Sequence, residues 1–282
     1  MRVAVVNHPH IEQSKVLAKR VCDILNDCGT TTVCSLFGEA EEAIKSADVA
    51  VALGGDGTMI HVAKLAAQTD VPLLGINCGH LGFMAGMEED DVSDLPRLVS
   101  GDYTVDERQM LEVTVYDEKN TVRAQYAALN EVAISRGVTT HVASIYLFDH
   151  DKPIAAFAAD GLLIATPTGS TAYSLSAGGP IVDPRVECFV ATPICPNALT
   201  ARPMVISVDA ELTFRFSPRH DTDRLYLSAD GEEGIEIGKT DRVCIRRHDK
   251  TARFIRFTQN AFYDTLHEKM IGRVESVQEN KK

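Results

Sequence analysis

The first third of the chain alternates between short, unbroken apolar runs and longer stretches whose apolar residues recur every three or four positions. Residues 2–7 (RVAVVN) form a β-branched run of the buried-strand type, and 12–27 carries Val16, Leu17, Val21, Ile24 and Leu25 at the spacing of one helical face. The same reading gives a strand at 31–34, a short helix at 39–46, a strand at 48–53 (DVAVAL), a helix at 59–68 and a strand at 71–76 (VPLLGI). Strands alternating with helices imply an open parallel sheet covered on both faces, which binds ligands at the carboxyl ends of its strands.

From Tyr103 the rhythm changes to short segments at 111–116, 122–129, 131–135, 144–148 and 154–157, with turn chemistry at 117–120 and 150–153. That pattern predicts a second, mainly antiparallel β domain with its boundary near Gly101 and Asp102. Pro193, Pro196 and Pro203 read as breaks, with further strands at 205–208, 211–216, 224–227 and 242–247. No fixed-period repeat stands out, and the polar tail 275–282 is expected to lack structure.

A length of 282 residues agrees with two modest domains, since single cores stop growing near ~250 to 300 residues. The balance of 28 Lys and Arg against 40 Asp and Glu gives a formal charge of −12, which repels nucleic acid and anionic membrane surfaces. Small phosphates stay open, because they need only a local set of backbone amides and a few cations. The seven Cys make no C-x-x-C pair and no zinc-finger spacing with His, so they read as free thiols of a reducing cytosol. Residues 1–7 are too brief for a signal sequence and no later stretch reaches the ~18 to 20 apolar residues of a membrane span, so a soluble cytoplasmic protein is expected.

Two segments carry candidate chemistry. Gly54-Gly55-Asp56-Gly57-Thr58 lies between a strand and a helix, where glycines permit close ligand approach and the helix N-terminus favours phosphate. Asp56 opposes a pure anion cradle, so it either accepts a proton, holds a metal ion or merely caps the helix. The loop is neither a Walker A, lacking Lys-Ser or Lys-Thr, nor G-x-G-x-x-G, since Ile60 takes the last glycine position. The second segment, 160–181 (DGLLIATPTGSTAYSLSAGGPI), sets hydroxyls beside glycines around one aromatic, Tyr173. Neutral hydrogen bonds and a stacking ring suit adenosine better than bare phosphate; the alternative is that the hydroxyls cap turns and Tyr173 fills the core. Asn130, after the apolar run 126–129, offers one donor and one acceptor to an adenine edge, or serves as a turn residue.

Taken together, Gly54-Gly55-Asp56-Gly57-Thr58, Asn130-Glu131 and 160–181, supported by Asn77-Cys78-Gly79-His80-Leu81-Gly82-Phe83 and Thr200-Ala201-Arg202-Pro203, resemble the NAD kinase family in order and spacing. The GGDGT loop alone is shared with phosphofructokinases and with diacylglycerol and sphingosine kinases; the 160–181 segment points to NAD. The resemblance implies an α/β domain over 1–102 rejoined by 256–282, a mainly β NAD-binding domain over 103–255, and an active site in the cleft between them. It implies phosphorylation of the adenosine ribose 2′-hydroxyl of NAD by ATP with a divalent cation, Mg²⁺ expected, in a homodimer or homotetramer. Asp56 is then the proton acceptor and Gly57 lies against the dinucleotide. Asn130 and Glu131 bind the adenosine; Thr171, Ala172, Tyr173, Ser174, Leu175 and Ser176 wrap it; Asp160 adds a polar contact; and His61 and His141 fall where relatives place NAD contacts. Two positions depart from the pattern: Ala158 stands where some relatives carry Arg, and Glu232 where relatives often carry Gln.

Overall fold

A computed structural model describes residues 1–79, 82–137, 142–198, 200–217, 224–258 and 262–269. The chain forms two compact units, one made of Met1–Glu107 with the chain from Ala252 onward, the other of Arg108–Thr251.

The first unit runs β1 (Arg2–Asn7), α1 (Glu12–Asp27), β2 (Thr31–Leu36), α2 (Ala40–Lys45), β3 (Val49–Gly54), α3 (Asp56–Gln68), β4 (Leu73–Asn77), β5 (Met87–Glu88), α4 (Pro96–Ser100) and β6 (Thr104–Arg108). The second contains β7 (Leu111–Tyr116), β8 (Val122–Ala128), β9 (Glu131–Arg136), β10 (Ala143–Asp149), β11 (Lys152–Ala159), β12 (Gly161–Ala165), α5 (Tyr173–Ser176), β13 (Cys188–Ile194), β14 (Met204–Ser207), β15 (Leu212–Ser217), β16 (Leu225–Ala229), β17 (Ile235–Ile237) and β18 (Arg242–Arg247), after which β19 (Ala252–Arg256) returns to the first.

In the first unit the sheet order is β2-β1-β3-β4-β19-β6, with β5 beside β4. The pairs β1–β2, β1–β3, β3–β4, β4–β19 and β4–β5 are parallel. β3 and β4 are buried along their whole length, and β1 from Val3 onward, which is why they are continuous apolar runs. Helix α1 sets Leu17, Ala18, Val21, Cys22 and Leu25 against Val3, Val5, Val51 and Leu53. Val16, counted on that face from the sequence, is 69% exposed: the helix buries the stripe that begins at Ser14.

The second unit holds two six-stranded sheets, β11-β10-β15-β18-β7-β8 and β14-β13-β12-β9-β16-β17, with antiparallel pairing along both. Leu111, Val113, Ile145, Leu147, Phe214 and Val243 from one sheet meet Val132, Ile134, Leu162, Ile164, Phe189 and Leu227 from the other in a single core. β12 is buried on both faces, because Leu163 on its far side joins Ala133 and Ile194 under Ala177 of the segment that follows it.

One expectation changes. Pro193 does not break the chain; it lies inside β13, opposite Leu162 of β12. β14 pairs only with residues 188–191, so at Pro193 the strand has a neighbour on one side alone, and a residue without an N–H is tolerated there. The chain passes from one unit to the other at 107/108 and returns at 251/252. β6 and β19 extend the first sheet.

Candidate functional site

In the first unit the loop after β3 forms as a parallel sheet dictates: the buried strand ends at Gly54, Gly55 occupies the N-cap and α3 begins at Asp56. Asp56 is therefore not the cap. A Cβ on Gly54 would overlap the Thr58 side chain, which explains one glycine by packing, whereas Gly55 and Gly57 face open space and leave room for a ligand. The Asp56 carboxylate accepts hydrogen bonds from the Phe83 N–H and the Met84 N–H, both at 3.3 Å. A Cβ on Gly82 would overlap that carboxylate. The same segment is held from behind by Arg256, a buried side chain at the end of β19, which donates to the carbonyls of Met84 (3.0 Å) and Ala85 and pairs with Asp106 at 3.4 Å. Asn77, at the end of β4, donates to Gly79 O at 3.3 Å and to Glu88 Oε2 at 2.9 Å. His61, one turn along α3, stacks on Phe37 with ring centroids 4.1 Å apart and planes 30° apart.

The second unit builds a different set of groups around β9. The backbone N–H groups of Leu129, Asn130 and Glu131 all donate to the carboxylate of Asp230, at 2.8, 2.7 and 3.2 Å. Thr166 closes the other side, its N–H donating to Asn130 O at 2.8 Å and its hydroxyl to Leu129 O at 2.6 Å. Gly169 packs so tightly on the Asn130 backbone that a Cβ would overlap it. With the backbone thus fixed, Asn130 and Glu131 are buried, and Asn130 Oδ1 and Glu131 Oε2 have no hydrogen-bond partner among the described residues. Burial, and after it the charge of Asp230, push the Glu131 carboxyl up to about 7, against a hydrogen bond from the Tyr173 backbone that lowers it.

Tyr173 opens α5 and is 44% exposed, so its ring does not fill the core. Leu175 is also exposed, as is Ser176, and Thr171 and Ala172 are half-buried. Ser174 differs: it is wholly buried, its hydroxyl 2.9 Å from Thr192 Oγ1, and it braces the segment rather than presenting a side chain. Thr171 likewise directs its hydroxyl to Thr168 O at 3.3 Å. Asp160 is paired with Arg136, Nε to Oδ1 at 2.7 Å and Nη2 to Oδ2 at 3.0 Å. The register Ala165↔Glu131 and Gly161↔Ser135 sets Asp160 at the opposite end of β12 from Glu131, roughly 16 Å along the strand. Within this unit the structure gathers Asn130, Glu131 and Tyr173, and leaves Asp160 apart from them. Ala158 is exposed on β11 and Glu232 is exposed beyond β16. His141 lies outside the described residues, as do His80 and Leu81.

Asp230 and Arg256 have no part in the sequence reading, and Gly82 enters it only within the supporting segment from Asn77 to Phe83. A signal for Asp230 existed in its Asp-Gly pair, since Asp230 and Gly231 both adopt positive φ, +50° and +73°. Nothing local marks Arg256, whose carbonyl partners lie 171 and 172 residues away.

Comparison with known proteins matches two stretches of the chain to family models. Residues 37–103 match the ATP-NAD kinase N-terminal domain and residues 129–257 the ATP-NAD kinase C-terminal domain. The chain is 42% identical over 226 residues to an NAD kinase of Symbiobacterium thermophilum, covering 80% of this chain and 79% of that protein. It is 38% identical over 237 residues to an NAD kinase of Caldanaerobacter subterraneus subsp. tengcongensis, covering 83% and 82%. Among solved structures, a yeast NADH kinase complexed with NADH shares the fold with a TM-score of 0.85 at 22% identity, covering 96% of this chain and 87% of that one. An NAD kinase from Archaeoglobus fulgidus in complex with ATP aligns with a TM-score of 0.75 at 25% identity, covering 94% and 96%. With both domain models matched in order, and relatives of this identity aligned over about four-fifths of its length, the chain belongs to the ATP-NAD kinase family.

Proposed function

We propose that this chain is an NAD kinase, transferring a phosphoryl group from ATP to the 2′-hydroxyl of the adenosine ribose of NAD to give NADP. The observation that carries the reading is a pair of buried acceptors without partners among the described residues, Asn130 Oδ1 and Glu131 Oε2, beside the exposed ring of Tyr173. A buried acceptor left unpaired costs about 1 to 3 kcal/mol. A nucleoside supplies what the three lack: amino and hydroxyl donors, and a flat base for the ring to stack on. Thr171, Ala172, Ser174, Leu175 and Ser176 extend that adenosine set, Ser174 through its backbone. Gly57 lies against the dinucleotide, and His61, His141 and Asp160 are its outlying contacts.

Asp56 has the part of orienting the attacking hydroxyl and accepting its proton. In a loose phosphoryl-transfer transition state the proton leaves late, so a fixed hydrogen-bonded carboxylate is sufficient. Its two amide partners hold it in place while the open side of the loop, at Gly55 and Gly57, admits substrate. The divalent cation enters as part of the ATP complex. A magnesium ion carried on phosphate oxygens would neutralise developing charge there.

The proposal includes a homodimer or homotetramer and a cytoplasmic setting; seven cysteines, all free, support the latter. No helix among the described residues is long and apolar enough to cross a membrane. Incubation of the protein with ATP, Mg²⁺ and NAD, with NADP read by a coupled dehydrogenase, should give steady product. Asp56→Asn should lower the rate by about 10² to 10⁴ with NAD binding nearly unchanged. Wild-type turnover in that variant removes Asp56 from the chemistry, and no NADP from the wild type removes the reading.

A further inference from the structure

Away from the residues assigned to the reaction, the first unit brings two sulfurs together. Cys22 Sγ, on α1, lies 2.7 Å from Cys34 Sγ, on the edge strand β2. Both are free thiols, and a disulfide bond of about 2.05 Å is only a fraction of an ångström shorter than their separation. Their elements keep them there: α1 is fixed by Leu17, Val21 and Leu25 in the core, and β2 by its parallel register with β1, in which Cys34 stands opposite Val5. The two differ in access, Cys22 being 7% exposed and Cys34 open to solvent. We propose that Cys22 and Cys34 form an oxidisable dithiol site, with small-molecule disulfides as its co-reactant.

The order of events follows from exposure. The Cys34 thiolate attacks one sulfur of a disulfide R–S–S–R, forming Cys34–S–S–R and expelling RS⁻, which takes up the proton Cys34 gave up. Cys22 then attacks Cys34 Sγ, the bond from Cys34 to S–R breaks, and the departing sulfur takes the Cys22 proton. Two thiols and one R–S–S–R become one intramolecular disulfide and two R–SH, with the cysteines oxidised and the small disulfide reduced. Burial, and after it the neighbouring Cys34 sulfur, hold the Cys22 proton up to about 12. Cys22 is therefore the resolving thiol and not the first nucleophile, and closure should quicken as pH rises. A bond of this kind in a reducing compartment would be transient and responsive to the thiol–disulfide balance.

The test uses the full chain. Cys28 falls in the same tryptic segment, between Arg20 and Lys45, so Cys28→Ser isolates the pair. After native treatment with oxidised glutathione and alkylation, that segment should be lighter by two hydrogen atoms and unalkylated at Cys22 and Cys34, and dithiothreitol should reverse both changes. Adding Cys22→Ser should trap glutathione on Cys34, and adding Cys34→Ser should leave Cys22 unmodified. Full alkylation of both thiols after the oxidant would overturn the proposal. So would a glutathione adduct on Cys34 that persists equally with and without Cys22.

Discussion

Glu131 sits under the tightest chemical constraint of the residues assigned to the ligand. Its carboxyl is raised from 4.5 to about 7, first by burial and then by Asp230. A carboxyl raised on folding makes the folded chain retain a proton that the unfolded chain gives up. Its contribution to stability is therefore complete below about 4.5, is lost as pH rises towards 7 and is level above that. The span corresponds to on the order of 3 kcal/mol. Glu131→Gln carries no such proton, so it should resemble the wild type at acid pH and exceed it in stability at alkaline pH, as read by urea denaturation. Parallel losses in the two proteins would assign the titration elsewhere. Ligand donors prefer the ionised form, so the wild-type KM for NAD should fall from pH ~6 to pH ~8 while that of the variant stays flat. Pattern could single out Glu131 only through its neighbour Asn130 and the family resemblance. What gives it a shifted proton is burial first and then Asp230, which meets its backbone across 99 residues of chain.

At the scale of elements, β1, α1 and β3 were legible because both faces of a central parallel strand, and one face of its covering helix, must be apolar. β6 and β19 were not. They are five-residue strands, TVDER and ARFIR, whose charged residues conceal their place in the sheet. β13 was hidden by Pro193, for which a local one-sided pairing makes room. The loop that carries Asp56 was legible as a glycine turn, but its second wall was not. The amides of Phe83 and Met84 belong to a segment fixed by Arg256, so the position of the carboxylate depends on three separate stretches of chain. Gly82 is where that wall comes closest to Asp56. Gly82→Ala should displace the carboxylate and lower kcat by about 10 to 100-fold, because an ångström of misplacement costs on that order. The KM for NAD should stay within about 2-fold, since the groups assigned to adenosine lie in the other unit. A variant with normal kcat and a raised KM would place Gly82 in binding instead.

At the scale of the whole molecule, recognition of the adenosine and handling of its hydroxyl are assigned to different units of the chain, Asn130, Glu131 and Tyr173 to one and Asp56 to the other. Binding and turnover should then be separable by changing the ligand alone. A dinucleotide lacking the adenosine 2′-hydroxyl keeps the base for Tyr173 to stack on, a contact worth ~1 to 3 kcal/mol, and keeps its other donors for Asn130 and Glu131. It loses only the group whose orientation the proposed function gives to Asp56. It should therefore compete with NAD at a dissociation constant within about 10-fold of that of NAD, a loss matching a single hydrogen bond of about 1 kcal/mol, and never acquire phosphate. Tyr173→Ala should weaken NAD and the deoxy compound alike, because the proposed stacking is on the base, which both possess. Sphingosine, diacylglycerol and fructose 6-phosphate lack that base and should yield no phosphorylated product with Mg²⁺ and ATP. A deoxy compound that fails to compete would mean that the 2′-hydroxyl is a principal binding contact. A phosphorylated lipid or sugar formed with no NADP would move the chain's activity to another acceptor altogether.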